Sequence, residues 1–334
     1  MAALSIVTWN ETTKTQKRKV SSTTIFDFLS INIGADLLSL AQSGSGSSAK
    51  WDFGARVIGN ASDPLISTDV ATKNYVDLNA AALIQLTGPA NISGTYNNSM
   101  WVSGAITMTN NVLIKGNLMI EKPVSGTTSI INSNSYTLEV EGNVYLMGTG
   151  GLATAINFKG ADGTVSVAAK AGGTLIVHGT VTTTSSAADC TIVVSGGAST
   201  NSAYPAGGAG GSVTIYGDFY GNVTAAGGAS VSSTVGGAGG TTYISGNFKT
   251  IGATSLNGGA NAATGSGGHG GALTVGGCVF NSAGLALNGG TSAAATGGTG
   301  GTLTLGGILT GVGALTYTGG TGSINGSAGS VSYI

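Results

Sequence analysis

Gly207-Gly208-Ala209-Gly210-Gly211 runs straight into Ser212-Val213-Thr214-Ile215-Tyr216, a side-chain-poor stretch followed by a short alternation of apolar and polar residues. The unit returns as Gly236-Gly237-Ala238-Gly239-Gly240, Gly267-Gly268-His269-Gly270-Gly271 and Gly297-Gly298-Thr299-Gly300-Gly301, at spacings of 29, 31 and 30. Each is followed by a strand-like run: Thr241 to Ser245, Ala272 to Gly276 and Thr302 to Gly306. Val213, Thr242, Leu273 and Leu303 share a phase with Ile215, Ile244, Val275 and Leu305, while Thr214, Tyr243, Thr274 and Thr304 face the other way. A second glycine pair closes each unit at Gly196, Gly227, Gly258, Gly289 and Gly319, spaced 31, 31, 31 and 30. A period near 30 marks solenoids, propellers or arrays. One repeat per rung is the natural explanation, with equivalent strands stacked at ~4.8 Å so that each inward side chain sits over its counterpart.

Glycine pairs then serve corners, which need positive φ or close backbone approach. A phosphate cradle is the competing reading of GGxGG, but it requires glycines between a strand and a helix, and in a P-loop a Gly-Lys-Ser/Thr. Neither context occurs, and such a motif does not recur four times. A further reading packs the glycine runs as extended polyglycine helices.

Sixty of 334 residues are glycine and only 7% are charged, yet 41% are hydrophobic, mean hydropathy is +0.29 and net charge is -1. Such a chain folds rather than staying disordered. Without a Gly-X-Y period it is not collagen, and no apolar stretch approaches the ~18 residues of a membrane span. The basic cluster at the start follows the first apolar residues, so no secretory signal is read and synthesis in a cytoplasm is expected. Cys190 and Cys278 lie in apolar strand-like runs, as buried thiols rather than a disulfide framework or metal site.

Charge divides the chain: 12 of 13 acidic residues and 11 of 12 Lys/Arg precede position 190. Residues 1–50 read as an attachment region and linker, with a strand at Leu4 to Trp9, a capped apolar segment at Ile25 to Leu29 and a Ser/Gly linker at Ser43 to Ser48. Residues 51–88 form a connector with a strand from Asp52 to Ile58 and then a helix. That helix is capped by Thr68 or Asp69, carries the stripe Val70, Lys73, Tyr75, Val76, Asn79, Ala82, Leu83 and Leu86, and ends at Gly88-Pro89. Fewer than three heptads long, it needs partners. Residues 89–190 form an irregular β-rich shaft of less regular rungs, and 191–334 the regular glycine-rich repeats. The fold class is therefore all-β, a solenoid or β-helix with one short coil.

Asp63-Pro64, Thr68-Asp69, Ala71-Thr72-Lys73 and Tyr75-Val76-Asp77 resemble, in order and spacing, an element found repeatedly in bacteriophage tail fibres and related trimeric adhesive fibres. About 15 residues carry the likeness, counted off the sequence. In that family the element precedes a short three-helix coil joining proximal and distal fibre segments. The resemblance thus implies a homotrimer, with Tyr75, Val76, Asn79, Ala82, Leu83 and Leu86 at the trimer axis, located in the virion. The glycine runs likewise resemble glycine-rich viral adhesin tips.

Trp9, Lys14, Lys17, Arg18 and Lys19 are the candidates for attachment to an acidic surface of the virion tail, baseplate or capsid. Nucleic acid is not an expected partner, because the basic set is small, the pI is 6.1 and no aromatic residues interleave the lysines. Between the glycine runs lie small, polar, variable loops, and a rigid frame bearing variable loops is the usual arrangement for recognition. Tyr204, Asn201, Ser232, Ser233, Asn261, His269 and Ser292 are the candidate contacts for a host cell-surface glycan or outer-membrane receptor. Polysaccharide cleavage needs two carboxylates flanking the scissile bond. In the repeats only Asp218 is present, with Asp189 upstream by 29 positions and no Arg, His or Trp around them. His178 alternates with strand residues, no cluster of zinc ligands occurs, and neither enzymatic activity nor a cofactor is expected.

Overall fold

The computed structural model describes residues 83–334 except 122–129, 133, 148–153, 184–190, 232, 251, 282 and 312, and before residue 83 the backbone of five strands. The chain divides into two units, Met1–Tyr75 and Val76–Ile334. The first contains two antiparallel sheets. In one, Ile6–Trp9 pairs with Gln16–Lys19, which places Thr8 opposite Lys17. In the other, Phe28–Ile33, Asp36–Ser43 and Lys50–Asp52 lie side by side, with Ser43 opposite Lys50. The Ser/Gly run after Ser43 therefore joins two paired strands, and Phe28 and Leu29, the end of the expected capped apolar segment, belong to a strand. Lys14 and the connector motif at 63–77 lie outside the described residues.

The second unit is a parallel β-solenoid, with three faces per rung. The first face stacks nine strands, from Ile84–Leu86 and Met100–Val102 to Val279–Asn281 and Leu309–Thr310. The second and third faces share the long strand Ile106–Ile114. Its start pairs with Ile130–Ile131 and its end with Thr137–Val140. From there the second face continues to Ala314–Thr316 and the third to Ser330–Tyr333, all in parallel register. The irregular shaft and the regular repeats are thus one continuous stack.

Period-two alternation explains the core. Leu175, Val213, Leu273 and Leu303 form one inward row of the third face and Val177, Ile215, Ile244, Val275 and Leu305 the next, all essentially inaccessible. Phe219 and Phe248 stack inside the first face, with ring centroids 5.1 Å apart and planes 2° from parallel. In the first of these two rows one position is polar. Thr242 takes its place between Val213 and Leu273, buried, and its Oγ1 has no hydrogen-bond partner. A buried hydroxyl without a partner costs about 1–3 kcal/mol. Thr242→Val, which keeps the branched shape, is expected to raise stability by about 1 kcal/mol in urea melts; an unchanged or lower midpoint would show the hydroxyl to be satisfied.

No described residue is helical. Tyr75, Val76, Asn79 and Ala82 lie outside the described residues, but the end of the expected coil is described and is a strand. Ile84, Gln85 and Leu86 pair with Met100, Trp101 and Val102, so Leu86 packs on the solenoid core and Leu83 directly precedes the strand. Three residues of apolar-polar-apolar fit a helical stripe and a strand equally; the neighbouring rung decides, because it supplies both hydrogen bonds and an apolar surface.

Candidate functional site

Between the second and third faces each late rung sends out a glycine-rich arm, formed by an outgoing stem, a tip and a returning stem. The stems pair by backbone hydrogen bonds. On the outgoing side Gly196 and Ser199 donate to Ala226 and Ala229 of the next rung, whereas Gly197 donates sideways to Lys170. On the returning side Gly208 and Gly211 donate sideways to Gly197 and Val194, and Gly210 donates to Ala238 of the next rung. The same directions recur at Gly237, Gly239 and Gly240 and at Gly268, Gly270 and Gly271. Donation in each direction repeats every three residues, the period of a polyproline-II-type helix.

Glycine is needed here through close approach. A Cβ on Gly228 would meet the carbonyl oxygen of Gly197, on Gly259 that of Gly228, and on Gly290 that of Gly259. A second column runs through Gly208, Gly237, Gly268 and Gly298. Positive φ is not the reason: among the described glycines only Gly94, Gly284 and Gly311 have it, and none is in a stem. The glycine runs lie along the stems, and the turns are made by the residues between them.

The tips contain their own ladder. Ser230 and Asn261, then Asn261 and Ser292, form isolated bridges from rung to rung. Their side chains turn inward: Ser230 Oγ donates to Pro205 O at 2.6 Å, Asn261 Nδ2 donates to Thr234 O, and Ser292 Oγ donates to Gly265 O at 2.8 Å. Asn261 is 2% and Ser292 8% exposed, so two of the expected receptor contacts are instead the buried stitching of the tips. Extended backbone leaves the tip interior polar, and a short amide or hydroxyl is what satisfies it. Asn201 is half-buried, its Oδ1 accepting from Ala203 N at 2.8 Å. Tyr204, Ser233 and His269 are exposed, and Ser232 lies outside the described residues. In the first arm Lys159, 2.9 Å from Asp162, holds that carboxyl below the usual carboxylate range; burial opposes the shift, and the Ala198 N–H adds to it.

Asp218 has a structural partner set. At the turn from the third face to the first, Asn143 N donates to Asn117 Oδ1, Thr180 N to Asn143 Oδ1 and Cys278 N to Asn247 Oδ1, at 2.8, 2.8 and 3.0 Å. Asp218 is the same rung position, with Oδ1 accepting from Asn247 N at 2.7 Å and Asn247 Nδ2 at 3.2 Å. Asp189 and Cys190 lie outside the described residues; Cys278 is a half-buried free thiol. Asp218→Asn is expected to keep stability within about 0.5 kcal/mol, since the amide oxygen caps equally, while Asp218→Ala costs about 1–2 kcal/mol. A large loss with Asn would mean that the charge itself matters.

Sequence reading missed an exposed aromatic group on the third face. His178 stacks on Tyr216 at 5.2 Å and 18°, Tyr243 meets Tyr216 edge-on at 6.3 Å, and His178 Nε2 lies 2.8 Å from Glu139 Oε1. The pairing Val177↔Ile215 brings His178 beside Tyr216, across a rung 38 residues long where the repeat predicts about 30. Among the described residues no group of three or more His, Cys, Asp or Glu can hold a metal ion. Comparison with family models, curated proteins and solved structures finds no match for this chain.

Proposed function

We propose that this chain is a structural fibre of a bacteriophage particle that recognises a glycan on the host cell surface without cleaving it. The observation that carries this reading is the arm construction: stems fixed by glycine packing, bearing neutral tips that differ from rung to rung. Recognition surfaces are commonly built as variable loops on a rigid scaffold. Neutral hydroxyl, amide and aromatic groups suit sugars, which bind through hydrogen bonds and ring stacking. The connector motif at 63–77 supports a homotrimer, and the segment with Trp9, Lys14, Lys17, Arg18 and Lys19 is the candidate contact to the virion. Each contact is weak, about 0.5–1.5 kcal/mol per net hydrogen bond, so three copies would gain avidity of ~10²–10⁴ where geometry allows joint engagement.

The test combines three measurements on the whole chain: solution mass, binding to host cells at low and high salt, and release of oligosaccharide. A three-chain mass with salt-tolerant binding and no released sugar is expected. A monomer at micromolar concentration would remove the trimer. Binding that collapses in salt would replace the glycan by an ionic receptor, and released sugar would make the chain a tailspike hydrolase.

A further inference from the structure

The central residue of GGxGG changes along the stack from Ala209 and Ala238 to His269 and Thr299, and in the last arm Ser327 of Asn325-Gly326-Ser327-Ala328-Gly329 takes the equivalent place. Only at His269 does the residue of the next rung bear a hydroxyl beside an imidazole. Thr299 N donates to His269 Nδ1 at 3.2 Å, and Thr299 Oγ1 lies 2.7 Å from the same nitrogen. A backbone N–H can only donate, so Nδ1 is the acceptor and the proton of the neutral ring is on Nε2. The packed stems therefore fix both the orientation and the tautomer of an exposed side chain. Its Nε2–H is left as a directed donor.

His269 lines a groove of 440 Å³ together with Val235, Ser266, Thr296, Thr299, Asn325 and Ser327. That volume is within the ~300–1,000 Å³ range of small-molecule sites. Val235 is 52% exposed and supplies an apolar wall. The rest of the lining is hydroxyl, amide and backbone, and none of it is Asp, Glu, Lys or Arg. Asn325 Oδ1 already accepts from Gly322 N at 3.2 Å, which leaves its NH2 as donor. A lining of oriented donors and hydroxyls, one apolar wall and no formal charge matches a neutral pyranose, which has an apolar C–H face and a rim of hydroxyls that accept and donate.

We propose that the His269–Thr299 groove binds a single neutral hexose unit, with the Nε2–H of His269 donating to a sugar hydroxyl and Val235 against the C–H face. This deepens the glycan reading above and rests on it. His269 is here the specificity-determining contact, and the glycine stems act only by holding it.

The chain has two histidines, so imidazole nitrogen resonances of the whole ¹⁵N-labelled protein separate the relevant ring from that of His178. The free protein should give the Nε2–H tautomer for His269. Titration with methyl glycosides of glucose, galactose, mannose and N-acetylglucosamine should shift the His269 ring for at least one of them, with millimolar affinity. His269→Ala should weaken that binding about tenfold and His269→Gln, whose amide keeps one acceptor and one donor, by much less. An Nδ1–H tautomer, no shift with any of the glycosides, or equal binding by His269→Ala overturns the groove assignment. Adsorption to host cells separates the two levels. If His269→Ala adsorbs like the parent chain and free glycan competes, the groove fails while the glycan reading stands; if glycan never competes, both fail.

Discussion

Gly259→Ala is expected to be among the most damaging single substitutions in the chain. The added Cβ would meet the carbonyl of Gly228 on one side of the stem, and on the other side Gly259 N is bound to Gly237 O at 2.7 Å. Both obstacles are backbone, themselves pinned by further rungs, so the chain has no side-chain rotation with which to relieve the contact. Overpacking in a close-packed interior costs about 1–3 kcal/mol and occasionally more, and this site belongs at or above the upper end. The control is Gly88→Ala, where nothing lies within 4 Å of the new Cβ; its effect should stay within about 0.5 kcal/mol. Urea melts give the comparison, and hydrogen exchange should localise the damage to the arm amides of neighbouring rungs. A stability loss equal to that of the control would mean that the stems are not packed as a glycine lattice.

The second large effect is expected from Phe248→Ala. Phe248 is fully buried and lies face to face with Phe219 one rung below. Phe→Ala in a core costs about 3–5 kcal/mol, and loss of an aromatic partner adds about 0.5–1.5 kcal/mol. The cavity cannot collapse, because the inner rows are held at rung spacing by the backbone ladders on all three faces. Phe280, on the next strand of the same face but outward and 43% exposed, is the comparison, and its replacement by alanine should cost less than about 1 kcal/mol. Equal losses at the two positions would contradict the inward and outward assignment of this face.

The inward rows were legible in the sequence because period-two alternation is a local property: Val213 and Ile215 face one way in any strand that contains them. The arms were legible as glycine runs but not as stems. Whether glycine answers to a turn or to a neighbouring carbonyl depends on what stands one rung away, and that neighbour is about 30 positions distant in sequence. The candidate contacts divided for the same reason. Tyr204 and His269 are exposed, whereas Asn261 and Ser292 have the same polar character but are consumed by the tip ladder. Composition cannot separate a polar residue that faces a ligand from one that satisfies an extended backbone.

By itself the sequence determined the parallel stacking of strands, their phase and the regular late period, since each follows from the repeat and from the alternation of side chains. Only the tertiary structure decided which residues meet. It made Ile84–Leu86 a first-face strand instead of the end of a coil, put Asp218 in a turn-capping ladder, and set His269 against Thr299. The physical reason is that contacts in a solenoid run along the stacking axis. Rung length, 38 residues from Thr174 to Ser212 but 29 from Ser212 to Thr241, sets the register, and the glycine spacing encodes it only in the late rungs.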